Sequence, residues 1–159
     1  MQKIIFSTCI ILFCIINSYS QEMEKDINLV ISIDGKVPIS IANAKIIIKE
    51  NSNKSEQIEV GYIPGELSLD ITDFERVMQQ QESALFLSFE YYEYEKEQQK
   101  VYCYEIELKR FWFEQSFRVL RIYNLNKKEN KKVFYPLEGK DYTYEIDLPS
   151  NSITRIRKK

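Results

Sequence analysis

The chain has 159 residues with 24 acidic and 22 basic side chains, a formal net charge of −2, and no histidine. The missing imidazole excludes Ser-His-Asp and Cys-His catalysis and the common catalytic zinc sites. The four glycines, Gly35, Gly61, Gly65 and Gly139, lack any spacing that wraps backbone amides around a phosphate, and no Asp-x-Asp-x-Asp-Gly run supplies a calcium loop, so no cofactor or metal is expected.

At the amino end Lys3 precedes the apolar run Ile4 to Ile16, and Ser18-Tyr19-Ser20 follows. This is the pattern of an export signal, with cleavage expected after Ser20. About thirteen apolar residues at 1.5 Å rise cover only ~20 Å of a hydrocarbon core near 30 Å, too short to span it. The alternative, lipidation at Cys14, meets Phe13 where bacterial lipoprotein boxes resemble one another in having a small residue. Either route places the product in the periplasm, on the cell surface or outside the cell, and no later apolar run enters a bilayer. With residues 1–20 removed, only Cys103 remains, so no intramolecular disulfide is possible; a half-buried thiol or an intermolecular disulfide is expected there.

The remaining residues read as a short lead, 21–26, and one domain, 27–159. Its main signal is alternation with period two among β-branched and aromatic residues. Ile27, Leu29, Ile31 and Ile33 mark a first strand, Asp34-Gly35 a turn, and Ala44 to Lys49 a second strand. Beyond the polar stretch Glu50 to Ser55, Ile58 and Val60 indicate a short strand, Pro64-Gly65 a turn, and Leu67, Leu69 and Ile71 another alternating face. Thr72 and Glu75 fit a capping box for a helix near residues 72–80, with Phe74, Val77 and Met78 at helical spacing. Leu85, Leu87, Phe89 and Tyr91 then alternate, and the shift to Tyr92 and Tyr94 suggests a bulge near Tyr91. Across the charged turn Glu95 to Lys100, Val101 to Leu108 completes a hairpin. A strand from Phe117 to Leu125, a lysine-rich turn at Asn126 to Lys132, a return strand Val133 to Leu137, a strand Tyr142 to Leu148 and a last edge strand Ile153 to Arg157 follow. With no βαβ alternation, these elements predict an all-β fold: a two-layer antiparallel β-sandwich of eight to ten strands with one short helix.

The opening strand, Asp34-Gly35-Lys36-Val37-Pro38 and Ala42-Asn43-Ala44-Lys45-Ile46 resemble the start of transthyretin-like or carboxypeptidase-regulatory-like sandwich domains over about twenty residues. The later Gly-Tyr that often accompanies this pattern is absent, Gly61-Tyr62 coming too early. The resemblance implies a noncatalytic envelope or surface module and carries no active-site residue.

Recognition is expected from the aromatic side chains. Tyr91, Tyr92, Tyr94, Tyr102 and Tyr104 sit on the hairpin, and Phe111-Trp112-Phe113 form a triplet of which at least one ring faces outward if the segment is extended. Tyr92, Tyr94, Tyr102, Tyr104 and Trp112 are the candidate binding residues, toward a protein or a glycan; the same rings also serve as cross-strand pairs holding the sandwich together. The second function class is a carboxylate-based hydrolase, glycosidase-like, using Glu105 and Glu107 with Glu90, Glu93 and Glu95 on the neighbouring strand; such a Glu row also reads as an ordinary solvated face. The third is a subunit of a secreted assembly. Residues 21–108 carry 8 basic and 18 acidic side chains and residues 109–159 carry 13 and 6, which gives either charge pairs across strands or a dipolar surface. Lys127-Lys128, Lys131-Lys132 and Arg155-Arg157-Lys158-Lys159 could meet anionic polymers, whereas nucleic acid is not expected for an exported chain with a pI near 5.4.

Overall fold

A computed structural model describes residues 24–50, 54–95 and 98–158. The export segment and Cys14 lie outside the described residues. Among these residues, ten strands and three short helices follow in chain order: β1 (Glu24–Ile33), β2 (Ala42–Lys49), β3 (Ser55–Glu59), β4 (Gly61–Ile63), β5 (Gly65–Asp70), α1 (Ile71–Gln79), β6 (Ala84–Glu95), β7 (Gln98–Leu108), α2 (Arg110–Phe113), β8 (Arg118–Asn124), α3 (Lys128–Val133), β9 (Tyr142–Asp147) and β10 (Ser152–Ile153). They form a larger sheet of order β10-β9-β8-β1-β5-β4 and a smaller sheet of order β3-β2-β6-β7, a β-sandwich with minor helical content.

The inward rows follow the alternation in the sequence. Ile31, Leu67, Leu120, Ile122 and Ile146 from the larger sheet meet Ile46, Ile48, Leu85, Leu87 and Ile106 from the smaller in one buried cluster. Each such side chain removed from water contributes about 1.5–3 kcal/mol. Along one side the chain passes from the smaller sheet to the larger at Val60, between β3 and β4, where the Val60 N–H donates to the Ala44 carbonyl at 3.1 Å. Gly61 leaves room there for the Ser68 hydroxyl on the paired strand, which a Cβ, 2.5 Å from Ser68 Oγ, would push aside. Tyr62 then places its hydroxyl 3.0 Å from the Ile31 N–H, past the last β1–β5 pair, Leu29↔Gly65.

Several expectations are corrected. β1 starts at Glu24, so residues 24–26 of the supposed lead pair with β5. β1 and β8 are parallel, from Leu29↔Arg118 to Ile33↔Ile122, in an otherwise antiparallel pattern among the described strands. The β6–β7 ladder runs from Leu85↔Leu108 to Glu95↔Gln98 without interruption, so there is no bulge at Tyr91; the phase change is only the outer face becoming aromatic. The bulge is on β2, where Ala42↔Glu90 is followed by Lys45↔Ser88, three steps against two. Asn43, at φ 51°, absorbs the extra residue in the left-handed region that Asn tolerates. The return strand Val133 to Leu137 and the edge strand Ile153 to Arg157 reduce to the Phe134↔Arg157 bridge and the two-residue β10.

The helix at 71–79 is capped by Asp70, not Thr72: the Asp70 carboxylate accepts from the Thr72 N–H at 2.7 Å and from its hydroxyl. Its other end is closed by Arg110, which donates to the Val77 carbonyl at 2.9 Å, the Ser83 carbonyl at 2.9 Å and the Gln80 carbonyl, a cation placed at the helix carboxyl end. Arg118 does the same for α2, donating to the Trp112 and Gln115 carbonyls while also reaching the Asn28 carbonyl at 3.0 Å.

Candidate functional site

The outer face of the smaller sheet carries no covering element among the described residues, and the β2 bulge shapes it. With the extra residue at Asn43, the row β3-β2-β6 places Glu59 beside Lys45 and Lys45 beside Ser88, while Glu90 sits across from Cys103. The result is a groove of about 610 Å³ lined by Asn43, Lys45, Gln57, Glu59, Ser88 and Glu90, with Cys103 at its side. Lys45 Nζ donates to Gln57 Oε1 at 2.8 Å, fixing one amide of the lining. The groove therefore presents amide, hydroxyl and carboxylate groups from three adjacent strands, with one cation against two anions.

The same face continues along β6 into Tyr92 and Tyr94, about 7 Å apart by strand rise. Tyr92 is 37% and Tyr94 75% exposed, and Val101, paired with Tyr92, is half exposed. The Tyr92 hydroxyl donates to Glu90 Oε2 at 2.6 Å, tying the aromatic end of the face to the groove; that bond to a carboxylate pushes the phenol pKa above its ordinary value.

The five tyrosine and tryptophan positions singled out in the sequence divide between two environments. Tyr92 and Tyr94 are on the open face. The register pairs Tyr91 with Tyr102 and Phe89 with Tyr104, so Tyr102 and Tyr104 face the opposite way, toward the core. Tyr102 is half-buried, and Tyr104, 2% exposed, packs between Phe89 and Tyr142 with ring centroids 5.4 and 5.0 Å away. Trp112 is 3% exposed because its segment is the helical turn α2, which sends Trp112 inward, seats Phe113 edge-on against Phe74 and leaves Phe111 outside. What the sequence did not reveal is the polar half of the groove, Asn43, Gln57, Glu59 and Ser88. Its one local signal was an Asn between two alanines at the entry to a strand.

Glu105 and Glu107 also face outward, and each has basic partners. Glu105 meets Lys49 at 3.3 Å and Lys140 at 3.5 Å, and Glu107 meets Lys109. The charge asymmetry of the two halves is partly met in the same way, by Lys140 on Glu105 and by Lys127 on Asp34 and Glu93. Lys127 Nζ lies 3.0 Å from Asp34 Oδ2 and 2.9 Å from Glu93 Oε1 at one end of the sandwich. Burial alone would lower its pKa, but the two carboxylates outweigh it and raise it, so this polar cluster holds its own cation. Of the basic tail, Arg157 is bound to Glu145, Arg155 donates to the Tyr144 carbonyl, and Lys158 Nζ donates to the Lys131 carbonyl.

Among the described residues no group of three or more Cys, Asp or Glu is placed to hold a metal ion, and no helix is long and apolar enough to cross a membrane. The described residues form a two-sheet β-sandwich whose smaller sheet bears a polar groove and an aromatic rim on its outer face. No protein-family model, curated protein or solved structure matches the chain.

Proposed function

We propose that this protein is an exported, noncatalytic binding module of the cell envelope that holds a glycan on the outer face of its smaller sheet. The observation that carries this reading is the continuity of a polar groove with an exposed tyrosine pair on a face that no described residue covers. A sugar offers hydroxyls to amides, carboxylates and hydroxyls, and apolar C–H faces to flat rings. Gln57, Glu59, Ser88 and Glu90 supply the first kind of partner, and Tyr92 and Tyr94 the second. With two carboxylates against one ammonium, the groove favours a neutral or amine-bearing glycan over an anionic polymer. The apolar leader in residues 4–16 and the absence of histidine support export and a noncatalytic role.

Affinity electrophoresis of the purified protein against soluble neutral, amine-bearing and acidic polysaccharides tests the reading. Retardation by a neutral or amine-bearing polymer is expected. Glu90→Gln and Tyr94→Ala are expected to weaken it at least tenfold, since one lost polar or stacking contact of about 1.4 kcal/mol gives that factor. Retention by none of the polymers, or retention unchanged in both variants, overturns it. Intact mass of the exported product tests the processing: loss of residues 1–20 is expected.

A further inference from the structure

The two sheets end in four edge strands, and β7 is the one left long and open. β4 has three residues and β10 two, while β3 continues into β4 across the corner of the sandwich. β7 has eleven residues and, among the described residues, pairs only with β6. At Glu105 its N–H donates to the Tyr142 hydroxyl at 2.8 Å, and its carbonyl accepts from that hydroxyl at 2.7 Å. The backbone groups of Glu105 therefore point away from β6. With the period of two along a strand, those of Gln99, Val101 and Cys103 point the same way. No described residue pairs with them, and all three side chains are exposed. Natural sandwiches rarely leave such a row of unpaired amides and carbonyls in the open.

We propose that this edge pairs with the same edge of a second copy of the chain, antiparallel, about a two-fold axis at Val101. Val101 then exchanges both backbone hydrogen bonds with its counterpart, and Gln99 of each copy does so with Cys103 of the other. Gln99, Val101 and Cys103 are all used. The neighbouring registers are worse for reasons visible in the side chains. An axis at Lys100 sets two lysines directly opposite, a like-charge pair. An axis at Tyr102 places Gln99 against Glu105, whose backbone groups Tyr142 already holds. The Val101 register instead sets Lys100 opposite Tyr102 and extends the outer-face pair Tyr92–Val101 into Val101 and Tyr92 of the second copy, covering an apolar side chain that is half exposed in the single chain. An isologous contact of this kind closes on itself and stops at two copies. It also joins the smaller sheets into one sheet of eight strands, with the two β2 bulges five strand spacings apart, roughly 24 Å. The pairing stands on the backbone of β7, whether or not the groove holds a sugar.

Sedimentation of the purified protein over a concentration series tests the pairing, with a mass twice that of the chain expected. Val101→Pro is the informative variant, because the Val101 N–H points away from β6 and its loss leaves the hairpin ladder intact. It is expected to halve the mass with an unchanged circular dichroism spectrum. Val101→Lys, which sets like charges across the axis, is expected to do the same without any change in backbone chemistry. Hydrogen exchange adds a reading independent of either variant: the amides of Gln99, Val101 and Cys103 are protected in the dimer and exchange freely on dilution. In this register the two Cys103 residues lie four positions apart along the strands, about 13 Å, so no disulfide forms between them. A monomer at every concentration, a dimer untouched by both variants, fast exchange at the three amides in the dimer, or a Cys103-linked dimer each overturns the proposal.

Discussion

Tyr123 with Glu145 on the larger sheet and Tyr92 with Glu90 on the smaller are the same chemical pair, a phenol donating to a carboxylate, in opposite surroundings. Tyr123 reaches Glu145 Oε2 at 3.0 Å beneath the carboxyl-terminal segment, where Arg157 donates to both carboxylate oxygens and the Arg155 N–H adds a bond of 2.8 Å. Phe134 stacks on Tyr123 at 4.2 Å, and the Arg157 guanidinium lies 4.1 Å above Phe134. Glu145 is 4% exposed as a result, while Glu90 beside Tyr92 is left at the surface of an open groove. The pair is therefore buried where the chain supplies its own cover, and open at the surface where no described residue covers it.

The strongest way to break this contrast is to remove one carboxylate from each face. Glu145→Ala leaves the Arg155 N–H, the Tyr123 hydroxyl and Arg157 without their acceptor, and is expected to lower unfolding free energy by about 2–3 kcal/mol in urea titrations. The half exposure of Arg157 keeps the loss at the lower end of what a buried pair shows. Acid should erase the same contribution. Burial would raise the Glu145 pKa, but hydrogen bonds from Arg157, the Arg155 N–H and Tyr123 outweigh it and hold it below the ordinary 4.5. A lowered folded-state pKa means stability fully present above pH 4.5 and lost as pH falls through the folded value. Thermal unfolding between pH 6 and pH 2 should therefore lose this increment in the parent protein, and Glu145→Ala should lack that part of the decline.

Arg157→Ala is expected to cost about 1 kcal/mol, since the Arg155 N–H and Tyr123 bonds to Glu145 remain. Smallest of all, Glu90→Gln and Tyr94→Ala on the open face should each change stability by less than about 0.5 kcal/mol in the same titration. A loss there as large as that of Glu145→Ala would show that both faces are held by the same means and would remove the distinction.

β1 and β6 were legible in the sequence because each buries one face: Ile27, Leu29, Ile31 and Ile33 of β1 state their own parity, as do Leu85, Leu87 and Phe89 of β6. The helix after Asp70 was legible from its spacing. The turn at Phe111-Trp112-Phe113 was not, because it is set from a distance by Arg118, which binds the Trp112 carbonyl while reaching across to Asn28. The candidate site was half visible. Tyr92 and Tyr94 share a parity that a single strand reveals, but which face Tyr102 and Tyr104 join depends on the register Tyr91↔Tyr102, a property of two strands together. The groove needed still more, since Gln57 and Glu59 of β3 and Ser88 and Glu90 of β6 meet across β2, beside the extra residue at Asn43.

The parallel pairing of β1 with β8 has a bearing on how such a chain is made. β1 lies in the interior of the larger sheet, yet Asn28 and Arg118, in contact there, are 90 residues apart in the chain. A polypeptide delivered amino end first exposes the apolar row of β1 early, and β5 can cover only one of its edges until residues 118–124 arrive. Closing so long a loop carries an entropic cost and places this topology among slow folders. The larger sheet is completed only when residues 118–124 have joined β1. Until then the apolar row of β1 keeps one edge open to foreign strands.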